Sequence, residues 1–224
     1  MLTRLCRWLE AGLLAPCCLC CREAAPGTLP ICADCAAGLH PAPVLPEVLA
    51  PCAGARLAAF RYEGTAAALI TAYKFGENLA AGRVLARLAL PALREADRPE
   101  ALVPVPLHRQ RLRQRGHDQA LGLARDWGRA LGLPVRAGLL RRQRATLPQT
   151  TLDARGRAGN VAGAFEAHGP CPAHVALVDD VLTTGSTVAA AAEALFAAGA
   201  RRVDAWVLAW AAPPGGGAQP AAMK

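Results

Sequence analysis

Lysine is almost missing from this 224-residue chain: 23 arginines stand against Lys74 and the last residue, Lys224. The formal charge of +8 is therefore carried almost wholly by guanidinium groups, which favour planar, bidentate pairing with phosphate or carboxylate. No apolar run reaches the roughly 18 residues of a membrane span. The opening segment MLTRLCRWLEAGLLAPCC is interrupted by Arg4, Arg7 and Glu10, so no secretory signal is expected either. Leu2, Leu5, Leu9 and Leu13 recur there at the spacing of a short amphipathic helix. Both GxxxxGK[ST] and GxGxxG are absent, which argues against a nucleotide triphosphatase and a dinucleotide enzyme. What is present, 53% hydrophobic and 19% charged residues, suits one main folded domain with a small module beside it. The positive charge argues for a polyanionic partner, whether nucleic acid, a membrane surface or a phosphorylated small molecule. The chain reads as cytoplasmic, where thiols stay reduced, so its nine cysteines need a role other than disulfides.

Six of those cysteines lie in CCLCCREAAPGTLPICADC. Cys32 and Cys35 form one CxxC pair, and the other is drawn as Cys17 with Cys20 or as Cys18 with Cys21. Two such knuckles can point four thiolates at one tetrahedral Zn²⁺, whose binding would stand in for a hydrophobic core. Pro26, Gly27 and Pro30 suit the turns between them. We assign Cys17, Cys20, Cys32 and Cys35 as zinc ligands, with the register of the first pair open. Cys6, Cys52 and Cys171 stand alone and read as small apolar residues.

Beyond a proline-rich connector at residues 40–51, apolar strands alternate with helical segments. ARLAAFRYEG, ALVPVP, VALVDD and RRVDAWVLAWA read as strands, with helices between them and a strong one from Ala120 to Gly132. This order predicts an α/β fold, a mainly parallel twisted sheet flanked by helices and preceded by a small zinc ribbon. The expected units are residues 1–45 (helix and cysteine module), 55–211 (the main domain) and 212–224 (a disordered tail). Ligands of such folds bind beyond the carboxyl ends of the strands.

The segment VALVDDVLTTGST passes from apolar strand to two acids, then to hydroxyls around a glycine. Backbone amides at the start of the following helix, with Thr183, Thr184, Gly185, Ser186 and Thr187, suit a phosphate. Asp179 and Asp180 would repel a phosphate but accept hydrogen bonds from neutral hydroxyls. A sugar phosphate satisfies both halves. The basic stretch HRQRLRQRGHDQ places Arg109, Arg111, Arg113 and Arg115 at alternate positions. On an extended segment they would share a side and could hold a pyrophosphate or a nucleic-acid backbone; a helix would scatter them. No aromatics are interleaved for base stacking. Lys74, the single internal lysine, looks chosen for its compact charge.

The span from Val175 to Thr187 resembles the signature of type I phosphoribosyltransferases that binds 5-phosphoribosyl 1-pyrophosphate (PRPP), D-D-x-x-T-T-G-x-T after an apolar strand. CCLCC…CADC, YEG…YKFG, LVPVPLHRQRLRQRGHDQA, LPQTTLDARGRAGNVAGAF and that motif follow in the order seen in the ComF/GntX family. The likeness covers nearly the whole chain except the tail. Members of that family carry a zinc-binding module ahead of a phosphoribosyltransferase-like domain, and some are linked to DNA uptake in competent bacteria. The resemblance implies a PRPP site in which catalytic Asp179 and Asp180 hold the ribose hydroxyls and Thr183, Thr184, Gly185, Ser186 and Thr187 hold the 5′-phosphate. It implies a loop from Val105 to Arg109 at the pyrophosphate, for which Lys74, His108, Arg109, Arg113 and Arg115 are the expected contacts. Mg²⁺ would accompany PRPP, and an unknown nitrogen nucleophile would take the phosphoribosyl group. Where the family usually reads RGFNQ, this chain has RGHDQ, and the double zinc ribbon of some relatives is reduced to one metal site. Two other readings fit the same residues: a PRPP sensor without turnover, and a nucleic-acid-binding accessory factor with single-stranded DNA or DNA-uptake proteins as partners.

Overall fold

The computed structural model describes residues 16–45, 54–75, 78–143 and 163–212. The elements, in chain order, are α1 (Ala33–Ala37), β1 (Arg56–Arg61), α2 (Gly64–Phe75), α3 (Leu79–Glu95), β2 (Ala101–Pro104), α4 (Arg109–Arg115) and α5 (Gln119–Leu131). They continue with β3 (Leu140–Arg142), β4 (Phe165–Ala167), β5 (His174–Leu182), α6 (Ser186–Ala197) and β6 (Arg202–Trp210). The helix expected near Leu2 to Leu13, Cys6, Cys52 and the tail from residue 213 lie outside the described residues.

Four strands form a parallel sheet in the order β1-β6-β5-β2, and β3 and β4 make a small antiparallel pair. The fold is thus α/β, a parallel sheet covered by helices, as the alternating pattern predicts. Side chains of β5 and β6 alternate between two cores. Ala176, Val178, Trp206 and Leu208 face α2, α3 and α5, through Leu69, Leu85, Leu123 and Trp127. Val175, Leu177, Val203 and Val207 face α6 and the β3–β4 pair, through Val188, Leu195, Leu140 and Phe165. Both sheet faces are dry, which explains why these strands read as continuous apolar runs.

The cysteine segment does not stand apart. Cys18, Ala25, Ile31 and Leu39 join the same core as Phe60, Ala66 and Ile70. The chain that follows pairs with the outer edge of β1: Arg61 donates its N–H to the His40 carbonyl at 2.8 Å, and Ala42 to that of Ala59 at 3.2 Å. That contact covers an edge that would otherwise expose unpaired backbone groups. Part of the predicted connector is therefore sheet-paired.

Tyr73 locks three helices together. Its hydroxyl donates to the Gln119 carbonyl at 3.0 Å, and Gly82 of α3 and Gly122 of α5 leave room for the ring. A Cβ on Gly82 would sit 2.5 Å from the Tyr73 ring. Gly82→Ala is expected to lower unfolding free energy by roughly 1–3 kcal/mol through overpacking, read as a fall in melting temperature. An unchanged melting temperature would show that α2 and α3 separate freely.

Candidate functional site

Because β2 and β5 are neighbours, the two chemically loaded strand ends lie side by side, with Val105 donating its N–H to the Val178 carbonyl at 2.9 Å. A cleft of about 660 Å³ opens above them. Asp179, Asp180, Thr183, Gly185, Ser186 and Thr187 line it from β5 and the following turn, facing Val105, Pro106 and Leu107 beyond β2. Thr184 is held beside them, its Oγ1 2.6 Å from Ser186 Oγ. The acids do not end the strand: β5 runs on to Leu182, with Asp179 paired opposite Val207 in the ladder. Gly185 then turns the chain into α6 at a φ of +77°, a left-handed conformation that glycine adopts without strain.

The two acids differ. Lys74 reaches across from α2 to pair with Asp180, Nζ to Oδ1 at 2.8 Å, in a spot where both side chains are mostly covered. Asp179 accepts the Asp180 backbone N–H at 2.8 Å. Burial, reinforced by the Asp180 charge, pushes the Asp179 carboxyl up to about 7, although that N–H bond and Lys74 pull it the other way.

The arginines correct the sequence reading. Residues 109–115 are helical, so alternate arginines do not share a side as they would on an extended loop. Arg111 and Arg115, four residues apart, both line the cleft; Arg113 is exposed and His108 does not line it, and nothing is described of the Arg109 side chain. Arg142, missed by sequence reasoning, enters from β3 with its guanidinium 5.3 Å over Phe165. Burial lowers both the Arg111 and Arg142 pKa values, and each has a second arginine nearby that lowers it further. A multiply charged anion between them would relieve that repulsion. No motif flagged Arg142, because its strand is three residues long.

The RGHDQ segment positions these groups. Asp118 caps α5 by accepting the Leu121 N–H at 2.9 Å. Gln119, 1% exposed, accepts from Arg115 Nη1 at 3.1 Å and meets His117 Nε2 at 3.2 Å. His117 packs against Tyr73 with ring centroids 5.2 Å apart.

At the other candidate centre the thiols of Cys18, Cys21, Cys32 and Cys35 all lie within 4.8 Å of one another. The register drawn with Cys17 and Cys20 is thereby corrected: Cys17 is exposed outside this group, and Cys20 instead donates its N–H to Cys18 Sγ at 3.4 Å. Cys21 and Cys32 sulfurs are 3.6 Å apart, near the roughly 3.8 Å that ligands of a tetrahedral zinc would show. Burial raises the Cys18 thiol, but N–H groups of Cys21, Cys32 and Cys20 outweigh it and bring it down to about 6. Cys35 is pushed far up by burial and by its thiol neighbours. Four crowded thiols of this kind ionise together only around a cation, so donor set and spacing could accommodate one structural zinc.

These features define a parallel α/β domain with a four-cysteine module and an acid-and-arginine cleft. Over 151 residues the chain is 37% identical to Competence protein F of Haemophilus influenzae, covering 63% of this chain and 66% of that protein. It is also 37% identical over 147 residues to the DNA utilization protein YhgH of Salmonella typhimurium and of Escherichia coli, covering 62% of this chain and 65% of each. The chain is a homologue of these proteins, spans just under two thirds of their length, and bears out the ComF/GntX resemblance of its motifs. No protein-family model matches it. The crystal structure of TT1426 from Thermus thermophilus is a distant likeness, at 20% identity and a TM-score of 0.32 over 62% of this chain and 85% of that one. Among the described residues, no helix is long and apolar enough to cross a membrane.

Cys18→Ser is expected to lose bound zinc and to lower the melting temperature, while Cys17→Ser keeps about one equivalent by elemental analysis; the reverse result would restore the other register. Between pH 3.8 and about 7 the folded chain keeps a proton on Asp179 that the unfolded chain has released. Stability from this group therefore falls as pH rises through that window. Asp179→Asn is expected to raise unfolding free energy by about 1–2 kcal/mol at pH 8, allowing for screening of a partly exposed group, with little change at pH 4. A gain of equal size at both pH values would contradict the assignment.

Proposed function

We propose that this chain binds PRPP and transfers its phosphoribosyl group to a nitrogen nucleophile, releasing pyrophosphate. One observation carries the reading: adjacent acids and a hydroxyl-rich helix entry open onto one cleft that also receives Lys74, Arg111, Arg115 and Arg142. In this reading the turn from Thr183 to Thr187 holds the 5′-phosphate, each amide bond to a charged oxygen contributing about 1.5–3 kcal/mol and the helix dipole only about 0.3–1 kcal/mol. Asp179 and Asp180 take the ribose hydroxyls, and Lys74 leaves Asp180 Oδ1 as the ligand's anionic groups draw it away. Arg111, Arg115 and Arg142 face the pyrophosphate, and the displaced Lys74 is free to join them.

Chemistry then rests on positioning and charge. The acceptor nitrogen forms its bond to ribose C1 as the C1–O bond to pyrophosphate breaks, and guanidiniums in a half-covered cleft stabilise the departing charge. The acidic pair and the ligand's own oxygens are the hard donors Mg²⁺ takes; when bound, it would neutralise part of the pyrophosphate charge. Cys18, Cys21, Cys32 and Cys35 would hold a structural Zn²⁺ whose loss loosens the module packed on β1. The names of the relatives support a role in competence and DNA uptake, which we carry to this chain as part of the proposal.

Calorimetry with PRPP and Mg²⁺ is expected to show binding by the wild type. Gly185→Ala and Asp180→Asn should each weaken it about tenfold or more while leaving the protein folded. Unchanged affinity in both variants would put the ligand elsewhere. Binding without pyrophosphate release across a panel of bases and amines would make the protein a sensor.

A further inference from the structure

Gln119 is a polar side chain, 1% exposed, that takes no part in the chemistry above, and it bridges two groups of different hydrogen-bonding character. Its Oε1 lies 3.1 Å from Arg115 Nη1, and its Nε2 lies 3.2 Å from His117 Nε2. The other ring nitrogen, His117 Nδ1, stands 3.0 Å from the Arg115 carbonyl oxygen. Gly116, at a φ of +72°, turns the chain back after α4 so that the ring meets the carbonyl two residues before it.

Donor and acceptor chemistry gives this chain one direction. A guanidinium only donates, so the Gln119 carbonyl oxygen faces Arg115 and its NH₂ faces the ring. A ring nitrogen opposite an NH₂ has to accept, and one opposite a carbonyl has to donate. Every group is matched when His117 is neutral with its proton on Nδ1, and in no other state. A second proton, on Nε2, sets donor against donor. Turning the Gln119 amide over satisfies the ring but presents NH₂ to Arg115, and water does not reach a side chain so deeply covered. His117 itself is half-buried, so solvent protons reach it.

We propose that His117 is a positioning residue for the anion seat: its neutral ring fixes the Gln119 amide, which aims Arg115 into the cleft, and protonation of the ring releases that guanidinium. The inference rests on the reading of the cleft as a pyrophosphate seat. Once released, Arg115 keeps only the Phe75 face, whose centroid is 5.1 Å from its guanidinium carbon. Anion affinity therefore falls as pH falls through the range where histidine titrates, between about pH 8 and 5. Bare charge predicts the opposite sign, since a new cation beside the cleft would raise affinity for an anion.

The other charged and titratable groups near the ring do not produce this effect. Burial, and then the Asp126, Asp180 and Asp118 charges, push the Tyr73 hydroxyl up, so it stays a neutral donor. Arg111, the second α4 cation on the cleft, does not titrate in this range. Burial raises the Asp118 and Asp179 carboxyls, and Lys74 is paired with Asp180. Protonating any of these acids removes negative charge and would tighten an anion.

The test measures inorganic pyrophosphate binding by calorimetry at about pH 8 and about pH 5.5, for wild type and for His117→Phe, which keeps a ring on Tyr73 without nitrogens. Protonation of the ligand and of Asp179 is common to both proteins and cancels in their ratio. The two should bind alike at the higher pH, and wild type should be roughly tenfold weaker than His117→Phe at the lower. A ratio that ignores pH, or one that moves in favour of wild type at low pH, overturns the relay while leaving the anion seat intact. NMR of the ring nitrogens in the free wild type at the higher pH should find the His117 proton on Nδ1. A proton on Nε2 instead overturns the hydrogen-bond chain whatever the ligand does. Absence of pyrophosphate binding to the wild type overturns the cleft reading, and the role of His117 with it.

Discussion

The parallel pairing of β2 with β5 is the constraint on which the site depends. Val103 lies opposite Leu177 and Pro104 opposite Val178, so the residues after β2 and the acids of β5 come out at one level. Proline is tolerated in β2 because that strand lies at the end of the sheet order. The outer side of β2 is still met, by Leu102 donating to the Pro134 carbonyl at 2.9 Å and accepting from the Arg136 N–H at 2.9 Å. A shift of this ladder by one residue would turn Val103 and Leu177 away from their core and carry the loop at 105–107 past the acids.

Around that floor the charges are arranged as a standing imbalance. Lys74 satisfies Asp180, while Asp179 lies in a spot that favours its neutral form. Arg111, Arg115 and Arg142 converge on the cleft from two different elements; Arg115 contacts Gln119 and Phe75, and Arg142 lies over Phe165. Tyr73 ties this arrangement to the fold: it precedes Lys74, bonds the Gln119 backbone and packs on His117.

Much of this was legible in the chain itself. VALVDDVLTTGST combines an apolar run, a glycine and a helix start, each with its own local signal, and the structure places it as one strand, turn and helix. The alternation of strands and helices sufficed for the parallel sheet. Other features lay beyond local pattern. RQRLRQR has a single apolar residue, so no periodicity marked it as helical, and the faces of its arginines could not be assigned. β3 and β4 are three residues each and pair across a long separation, which hid Arg142. The CCLCC run permits two knuckles by spacing alone, and only the gathering of the Cys18, Cys21, Cys32 and Cys35 sulfurs within 4.8 Å chooses between them. Phe75 ends α2, and its partner Arg115 comes from a segment forty residues away.

A crystal structure of the protein with ribose 5-phosphate tests the central claim most directly. The account predicts the phosphate within hydrogen-bonding distance of the backbone amides between Thr183 and Thr187, sugar hydroxyls on the Asp179–Asp180 pair, and Lys74 drawn away from Asp180. A ligand seated elsewhere, or one bound with the Lys74–Asp180 pair intact and the turn empty, would contradict it.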